Sequence, residues 1–205
     1  VSTTDGEHYF TARPATADER RELHVTLAER ELVVTTARGV FSGDRVDRGT
    51  GVLLPLVEPD DEAEGDVLDL GCGWGPIALS LGLAQPKRTV WAVDVNERAL
   101  DLVRRNAEAL RLDVRAALPD DVPADLRFAE IWSNPPIRVG KPALHALLQR
   151  WCTRLLPGGQ AHLVVQKNLG ADSLHAWIAD GGVPDVDVER TLTARGFRVL
   201  TLTRR

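Results

Sequence analysis

The chain has 205 residues, 43% hydrophobic and 27% charged, with a formal net charge of −5, which bounds it to one globular domain, or one with a small extension, able to bury a sizeable core. No apolar run approaches the length of a membrane span, and Val1 to Glu7 lacks the basic-then-apolar order of an export signal, so a cytoplasmic location without membrane attachment is expected. Cys72 and Cys152 are too few for a disulfide framework, five histidines show no metal-ligand spacing, and the net acidity excludes a chain coated in positive potential while allowing local basic clusters to engage phosphates.

The segment His8 to Arg21 is irregular, with Tyr9-Phe10 expected to anchor the terminus on the core. Leu23, Val25 and Leu27 alternate on one face, and Leu32-Val33-Val34-Thr35-Thr36 is β-branched; with Glu29-Arg30-Glu31 as a polar turn between them, they predict a hairpin. Gly39 to Thr50 follows as a loop, and Asp47 is placed to cap a helix carrying Val52, Leu53, Leu54, Leu56 and Val57 before Pro59. The acidic run Asp60-Asp61-Glu62-Ala63-Glu64 reads as a solvated connection. It divides an N-terminal extension, residues 1–59, from a core, residues 60–205.

The run Val67-Leu68-Asp69-Leu70 then breaks into Gly71-Cys72-Gly73-Trp74-Gly75, and Pro76 opens the helical stretch Ile77 to Leu81. Strand, glycine loop and helix form a cofactor pocket, because glycine permits positive φ and lets a ligand approach the backbone closely. A dinucleotide fingerprint requires glycine at the first, third and sixth positions. Here the sixth position is Pro76 and the third glycine comes early, as Gly75, which weakens a nicotinamide reading. An acid that can bind ribose hydroxyls is present as Asp94, ahead of Val95 and after the apolar run Thr89 to Val93.

Downstream, Asn96 is a plausible N-cap for a helix through Leu110, with Ala99, Leu100, Val103 and Ala107 at helical spacing. Leu112 to Ala116 predicts a third strand and Phe128 to Ser133 a fourth; Pro142 to Leu156 predicts a helix ended by Pro157-Gly158-Gly159, and Ala161 to Val165 a fifth strand. A helix over Ala171 to Ala179 precedes a closing hairpin, Val186 to Leu192 and Phe197 to Thr203, joined across Ala194-Arg195-Gly196. Such alternation implies a parallel sheet covered by helices on both faces, with a mixed edge from the hairpin.

Ser133-Asn134-Pro135-Pro136-Ile137-Arg138 lies just past the fourth strand, at the carboxyl end where open α/β sheets bind ligands. Two prolines stiffen the loop and push Asn134 toward an extended backbone, so its side chain and nearby carbonyls face the site as fixed acceptors. Taken alone, the same residues equally read as a capped turn ending a strand.

The pattern D-x-G-x-G-x-G with a second-strand acid resembles the class I S-adenosylmethionine-dependent methyltransferases, and N-P-P resembles the motif of those acting on planar amino nitrogens. Together with Gly39-Val40-Phe41-Ser42, Asp47 and Gly140-Lys141, these motifs resemble the methyltransferase small (MTS) family from His8 onward, nearest to members that methylate the exocyclic amine of guanine in small-subunit ribosomal RNA. The resemblance implies a Rossmann-like fold, with a mainly parallel seven-stranded sheet, an antiparallel C-terminal strand and a small N-terminal hairpin. It implies S-adenosylmethionine as cofactor, held by Phe41, Asp47, Asp69, Gly71, Cys72, Gly73, Gly75, Asp94, Val95, Asp120 and Asn134, and an acceptor amine presented by Asn134, Pro135, Pro136 and Ile137. No metal is implied, RNA or the small ribosomal subunit is the implied partner, and the oligomeric state is left open.

Other acceptors stay open: a protein glutamine, a small-molecule amine, or none in a module that only binds the cofactor. Bacterial enzymes of this type carry a further N-terminal domain for RNA, which the roughly 60 residues before the glycine strand do not accommodate. Ile137 stands where many base methyltransferases have an aromatic ring for stacking. Trp74 equally covers the cofactor or plugs the space beneath the loop, Cys72 reads as a small filler between two glycines rather than a reactive thiol, and Asp120 is an adenine contact or an acidic surface turn. Arg45, Arg48, Arg138 and Lys141 are a candidate positive rim, though each alone reads as a solvated charge.

Overall fold

A computed structural model describes residues 19–205, so the expected Tyr9-Phe10 anchor lies outside the described residues. Strands β1 (Arg20–Leu27) and β2 (Arg30–Ala37) form a separate antiparallel hairpin in which Leu23 faces Val34 and Val25 faces Leu32. Its turn is Ala28-Glu29, both at positive φ (45° and 60°), so Arg30 and Glu31 belong to β2 rather than to the expected turn. A two-residue turn of this hand matches the right-handed strand twist, which a longer polar loop does not require.

The main sheet has seven strands in the order β5-β4-β3-β6-β7-β9-β8. They are β3 (Val67–Leu70), β4 (Val90–Val93), β5 (Val114–Ala117), β6 (Phe128–Ser133), β7 (Leu155–Gln166), β8 (Val186–Ala194) and β9 (Phe197–Arg204). β5, β4, β3, β6 and β7 pair in parallel, and β9 inserts antiparallel between β7 and β8. The hairpin turn joining β8 to β9 reverses the chain within the sheet, producing the mixed edge expected from the sequence. Chain order reverses between adjacent β3 and β6, so the glycine loop and the N-P-P loop leave the same sheet edge at the topological switch point.

Every residue of β3 and β4 is buried, because helices cover both faces. α1 (Thr50–Leu53), α2 (Pro76–Ala84) and α3 (Glu97–Leu110) pack Leu53, Ile77, Leu81, Leu100 and Val103 against Val67, Val90 and Trp132. On the other face, α4 (Lys141–Cys152) and α5 (Ala171–Trp177) bring Leu148, Trp151 and Leu174 onto Leu68, Ile131 and Leu163. The hairpin docks outside α2 and α3, with Leu27, Val34 and Val40 around Trp74, Leu79 and Leu102. Asn106 of α3 anchors it: Oδ1 accepts from Thr35 N at 2.7 Å and Nδ2 donates to Thr35 O at 2.9 Å.

Several boundaries differ from those read in the sequence. The helix after Asp47 lasts only from Thr50 to Leu53 and tightens into a 3₁₀ turn over Leu54–Leu56, where Pro55 has no amide to continue the helical ladder. β5 begins at Val114, and α4 stops at Cys152 rather than Leu156. Leu156-Pro157-Gly158-Gly159 does not end that helix; it bulges within β7, since Phe128 pairs with Leu155 while Glu130 pairs with Gln160. A Cβ at Gly159 would lie 2.8 Å from Ala129 O, so the bulge closes there only with glycine. α5 ends at Trp177 and runs into a wider turn through Gly182.

Candidate functional site

Gly71, Gly73 and Gly75 all take positive φ (77°, 55° and 93°), but for different reasons. A Cβ at Gly75 would lie 2.9 Å from Val103 Cγ2, so this glycine permits the loop to rest on α3. A Cβ at Gly71 meets nothing within 4 Å, and Gly71 is exposed, which leaves room along the backbone for a ligand. The loop is clamped to the second motif: Asp94 Oδ2 accepts from Gly73 N at 2.9 Å and Oδ1 from Asn96 N at 2.9 Å. Asn96 then caps α3, its Oδ1 accepting from Arg98 N at 3.0 Å. Val95 stands half-exposed beside this turn.

Asp69 is fully buried on β3, and its Oδ2 accepts from Ala78 N in the first turn of α2 at 2.9 Å. Its Oδ1 has no partner among the described residues. Burial is the main cause pushing its carboxyl up to about 8, the Ala78 bond opposing and the Asp94 charge assisting. Burial likewise raises Asp94, against its bonds from Asn96, Gly73 and Val95 amides.

The N-P-P loop receives a partner from the N-terminal segment. Asn134 Nδ2 donates to Asp47 Oδ2 at 2.8 Å and to Thr50 Oγ1 at 3.2 Å. The same Asp47 oxygen accepts from Gly49 N at 2.7 Å and Thr50 N at 3.3 Å, so Asp47 is not the N-cap of α1, which is Gly49, but holds the turn that leads into it and is joined to the site. A carboxylate only accepts, which fixes the orientation of the Asn134 amide and leaves Oδ1 as its available acceptor. Pro135 O accepts from Ile137 N at 2.8 Å and keeps one lone pair free. Asn134, Asp47 and Thr50 line a narrow cleft of about 20 Å³ with Phe41, Ser42 and the glycine loop.

Trp74 is 1% exposed, and its Nε1 donates to Ser42 O at 3.2 Å; it plugs the space beneath the loop and holds the Phe41-Ser42 segment down. Cys72 is buried with its thiol held well above the ordinary range by burial and by nearby Asp94 and Asp69, which removes it as a nucleophile. Pro136 opens the turn after Asn134, and Ile137 is half-buried against the α4-side core rather than in the cleft lining. Asp120 forms an exposed ion pair with Arg150 of α4 at 2.8 Å, so its carboxylate is turned to the helix. Arg45 and Arg48 share an open cavity with Arg21 and Arg38, whereas Arg138 and Lys141 are not in its lining. Thr50 was not legible as a site residue; the only signal was Gly49-Thr50 following Asp47. Among the described residues, no group of histidine, cysteine and acidic side chains could hold a metal, and no helix is long and apolar enough to cross a membrane.

The strand order, glycine loop and carboxyl-end Asn134 define the class I methyltransferase fold. Residues 31–184 match the model of the methyltransferase small domain. The chain belongs to that family. It is 37% identical over 171 residues to the uncharacterized protein YbxB of Bacillus subtilis strain 168, covering 82% of this chain and 85% of that protein. It is 35% identical to ribosomal RNA small subunit methyltransferase C of Pseudomonas aeruginosa, over 70% of this chain and 44% of that protein. In structure it resembles the T. thermophilus 16S rRNA N2 G1207 methyltransferase (RsmC), solved in complex with AdoMet and guanosine, with a TM-score of 0.76 at 23% identity over 94% of this chain and 52% of that one. The chain thus spans about half the length of these rRNA methyltransferases.

Proposed function

We propose that the protein is an S-adenosylmethionine-dependent N-methyltransferase whose acceptor is the exocyclic amine of a guanine in ribosomal RNA. The observation that carries this reading is the fixed amide of Asn134, whose nitrogen is engaged by Asp47 and Thr50 and whose oxygen is left for a substrate N–H. The family match supports the cofactor, and the similarity to rRNA methyltransferases supports a ribosomal RNA acceptor.

The residues present fit the cofactor: open space over Gly71, an unpartnered buried Asp69 oxygen, and the Asp94 carboxylate, whose oxygens keep lone pairs for ribose hydroxyls. S-adenosylmethionine supplies an electrophilic methyl group on a sulfonium. The remaining chemistry is positional. An exocyclic amine is a poor nucleophile because its lone pair is delocalised into the ring. Asn134 Oδ1 and the free lone pair of Pro135 O accept its two hydrogens and hold its lone pair out of the ring plane, toward the methyl donor. Such preorganised dipoles cost no reorganisation during reaction.

The testing experiment is transfer of labelled methyl from S-adenosylmethionine into purified small ribosomal subunits and cell extract, wild type beside Asn134→Ala, with RNA and protein counted separately. Label in RNA that is lost in the variant is expected. Label confined to protein overturns the RNA acceptor in favour of glutamine.

A further inference from the structure

Four arginines, Arg21, Arg38, Arg45 and Arg48, line one open cavity of about 840 Å³ between the hairpin and the 38–48 loop. All four are exposed, and none of their guanidinium groups has a hydrogen bond or ion pair among the described residues. Neighbouring arginines are paired: Arg20 with Asp101 at 2.8 Å and Arg98 with Glu19 at 3.1 Å. The lining holds two carboxylates, Asp44 and Asp47, and Asp47 is turned to Asn134. On a chain of net charge −5, this is a local concentration of positive charge. Phe41, 53% exposed, lines both this cavity and the narrow cleft of Asn134, so the two adjoin.

We infer that this cavity is the docking surface for the acceptor strand, a single-stranded RNA segment whose phosphates lie on the four arginines while Phe41 stacks a base at the entrance to the cleft. The inference rests on the RNA reading proposed above and adds the surface that binds the strand. Guanidinium forks match phosphate oxygens two at a time, and an exposed ring among cations is a sequence-tolerant stacking platform. A base that reaches Asn134 must leave its stack, which requires the strand to be single there. Phe41 thereby supplies a ring at the cleft that Ile137, packed against the α4-side core, does not. Repulsion from the acidic remainder of the chain steers the strand to this patch.

The test measures binding of a fluorescein-labelled, unstructured guanine-containing RNA 12-mer to the full chain by anisotropy across a salt series. The variant Arg38→Gln/Arg45→Gln/Arg48→Gln is expected to bind at least about tenfold more weakly, with a log–log salt slope reduced by about 2. Phe41→Ala is expected to weaken binding about tenfold without changing that slope. S-adenosylmethionine affinity, measured by calorimetry, stays unchanged in the arginine variant. A control, Arg105→Gln/Arg111→Gln/Arg195→Gln, removes three exposed arginines elsewhere and is expected to keep the wild-type slope. If the two triple variants bind alike while wild type still methylates ribosomal RNA, the docking surface is wrong and the RNA reading stands. If wild type binds no RNA and labels only protein, the RNA reading fails and this surface with it.

Discussion

The amide nitrogen of Asn134 lies 2.8 Å from Oδ2 of Asp47, a bond between residues 87 positions apart. One carboxylate oxygen therefore holds the turn into the short helix of the N-terminal segment and orients the side chain proposed to hold the acceptor. Through this bond, the segment before the glycine strand becomes part of the site.

Removing the carboxylate frees the Asn134 amide to rotate. Asp47→Ala is expected to lower kcat about 100-fold, the scale of a misplaced acceptor, while S-adenosylmethionine affinity changes little. Asp47→Asn is expected to retain most activity, since its carbonyl can take the place of Oδ2. In an Asn134→Ala background, Asp47→Ala should cost nothing further, because the two act as one unit. Single-turnover rates for the four combinations check this, and additive losses would refute it.

Asn134→Ala itself is expected to bind the cofactor normally and lose about 10²–10³ in kcat, the range for deleting one preorganised polar group. Calorimetry beside methyl-transfer kinetics separates the two effects, and unchanged turnover would discard the proposed role.

Asp94→Ala is expected to abolish measurable S-adenosylmethionine affinity. It removes the proposed ribose acceptor and also releases Gly73 N and Asn96 N, loosening the loop. Asp94→Asn retains an acceptor for one of these amides and should recover part of the thermal stability but little affinity. Tight binding by the alanine variant would remove the ribose assignment.

Asp69 makes stability fall as pH rises. Its carboxyl is raised from an ordinary 3.8 to about 8 in the folded chain, so between these values the folded state holds a proton that the unfolded state has lost. The contribution is complete below the unfolded value and disappears as pH rises through the folded one. Asp94, raised in the same direction by burial, adds to the trend. Asp69→Asn should flatten the decline in urea midpoint between about pH 5 and about pH 8. An unchanged decline would refute the assignment.

Asn106→Ala leaves both the N–H and the C=O of Thr35 without the partners that seat the hairpin on α3. The expected cost is about 1–3 kcal/mol per group left buried and unpaired, read as a lower denaturation midpoint. Because Leu27 and Val34 pack against the same helices, the loss should also raise proteolysis of the 38–48 loop.

Much of the fold was written in neighbouring residues. Asn96 caps α3 because an amide side chain just before the first helical residue reaches the amide two residues on, a contact set by local geometry alone. Gly71, Gly73 and Gly75 mark positive φ because a residue without Cβ adopts it freely, whereas the close approach of Val103 to Gly75 is a tertiary contact. The strand and helix periods placed β6 correctly, but the helix expected through Leu156 stopped at Cys152, since Pro157-Gly158-Gly159 serves as a bulge whose fit depends on Ala129 across the sheet.

By itself, the sequence determined the alternation of strands and helices, the glycine loop and the position of Asn134 at a strand end, because turn chemistry, capping and side-chain period act over a few residues. Tertiary structure alone decided that Asp47 and Thr50 hold Asn134, that Trp74 is buried and bonds Ser42, that Asp120 turns to Arg150, and that four arginines share one cavity. Those relationships arise where distant segments meet, and their hydrogen bonds and charges leave no period in the chain. They exist only once burial of the hairpin against α2 and α3 has brought the segments together.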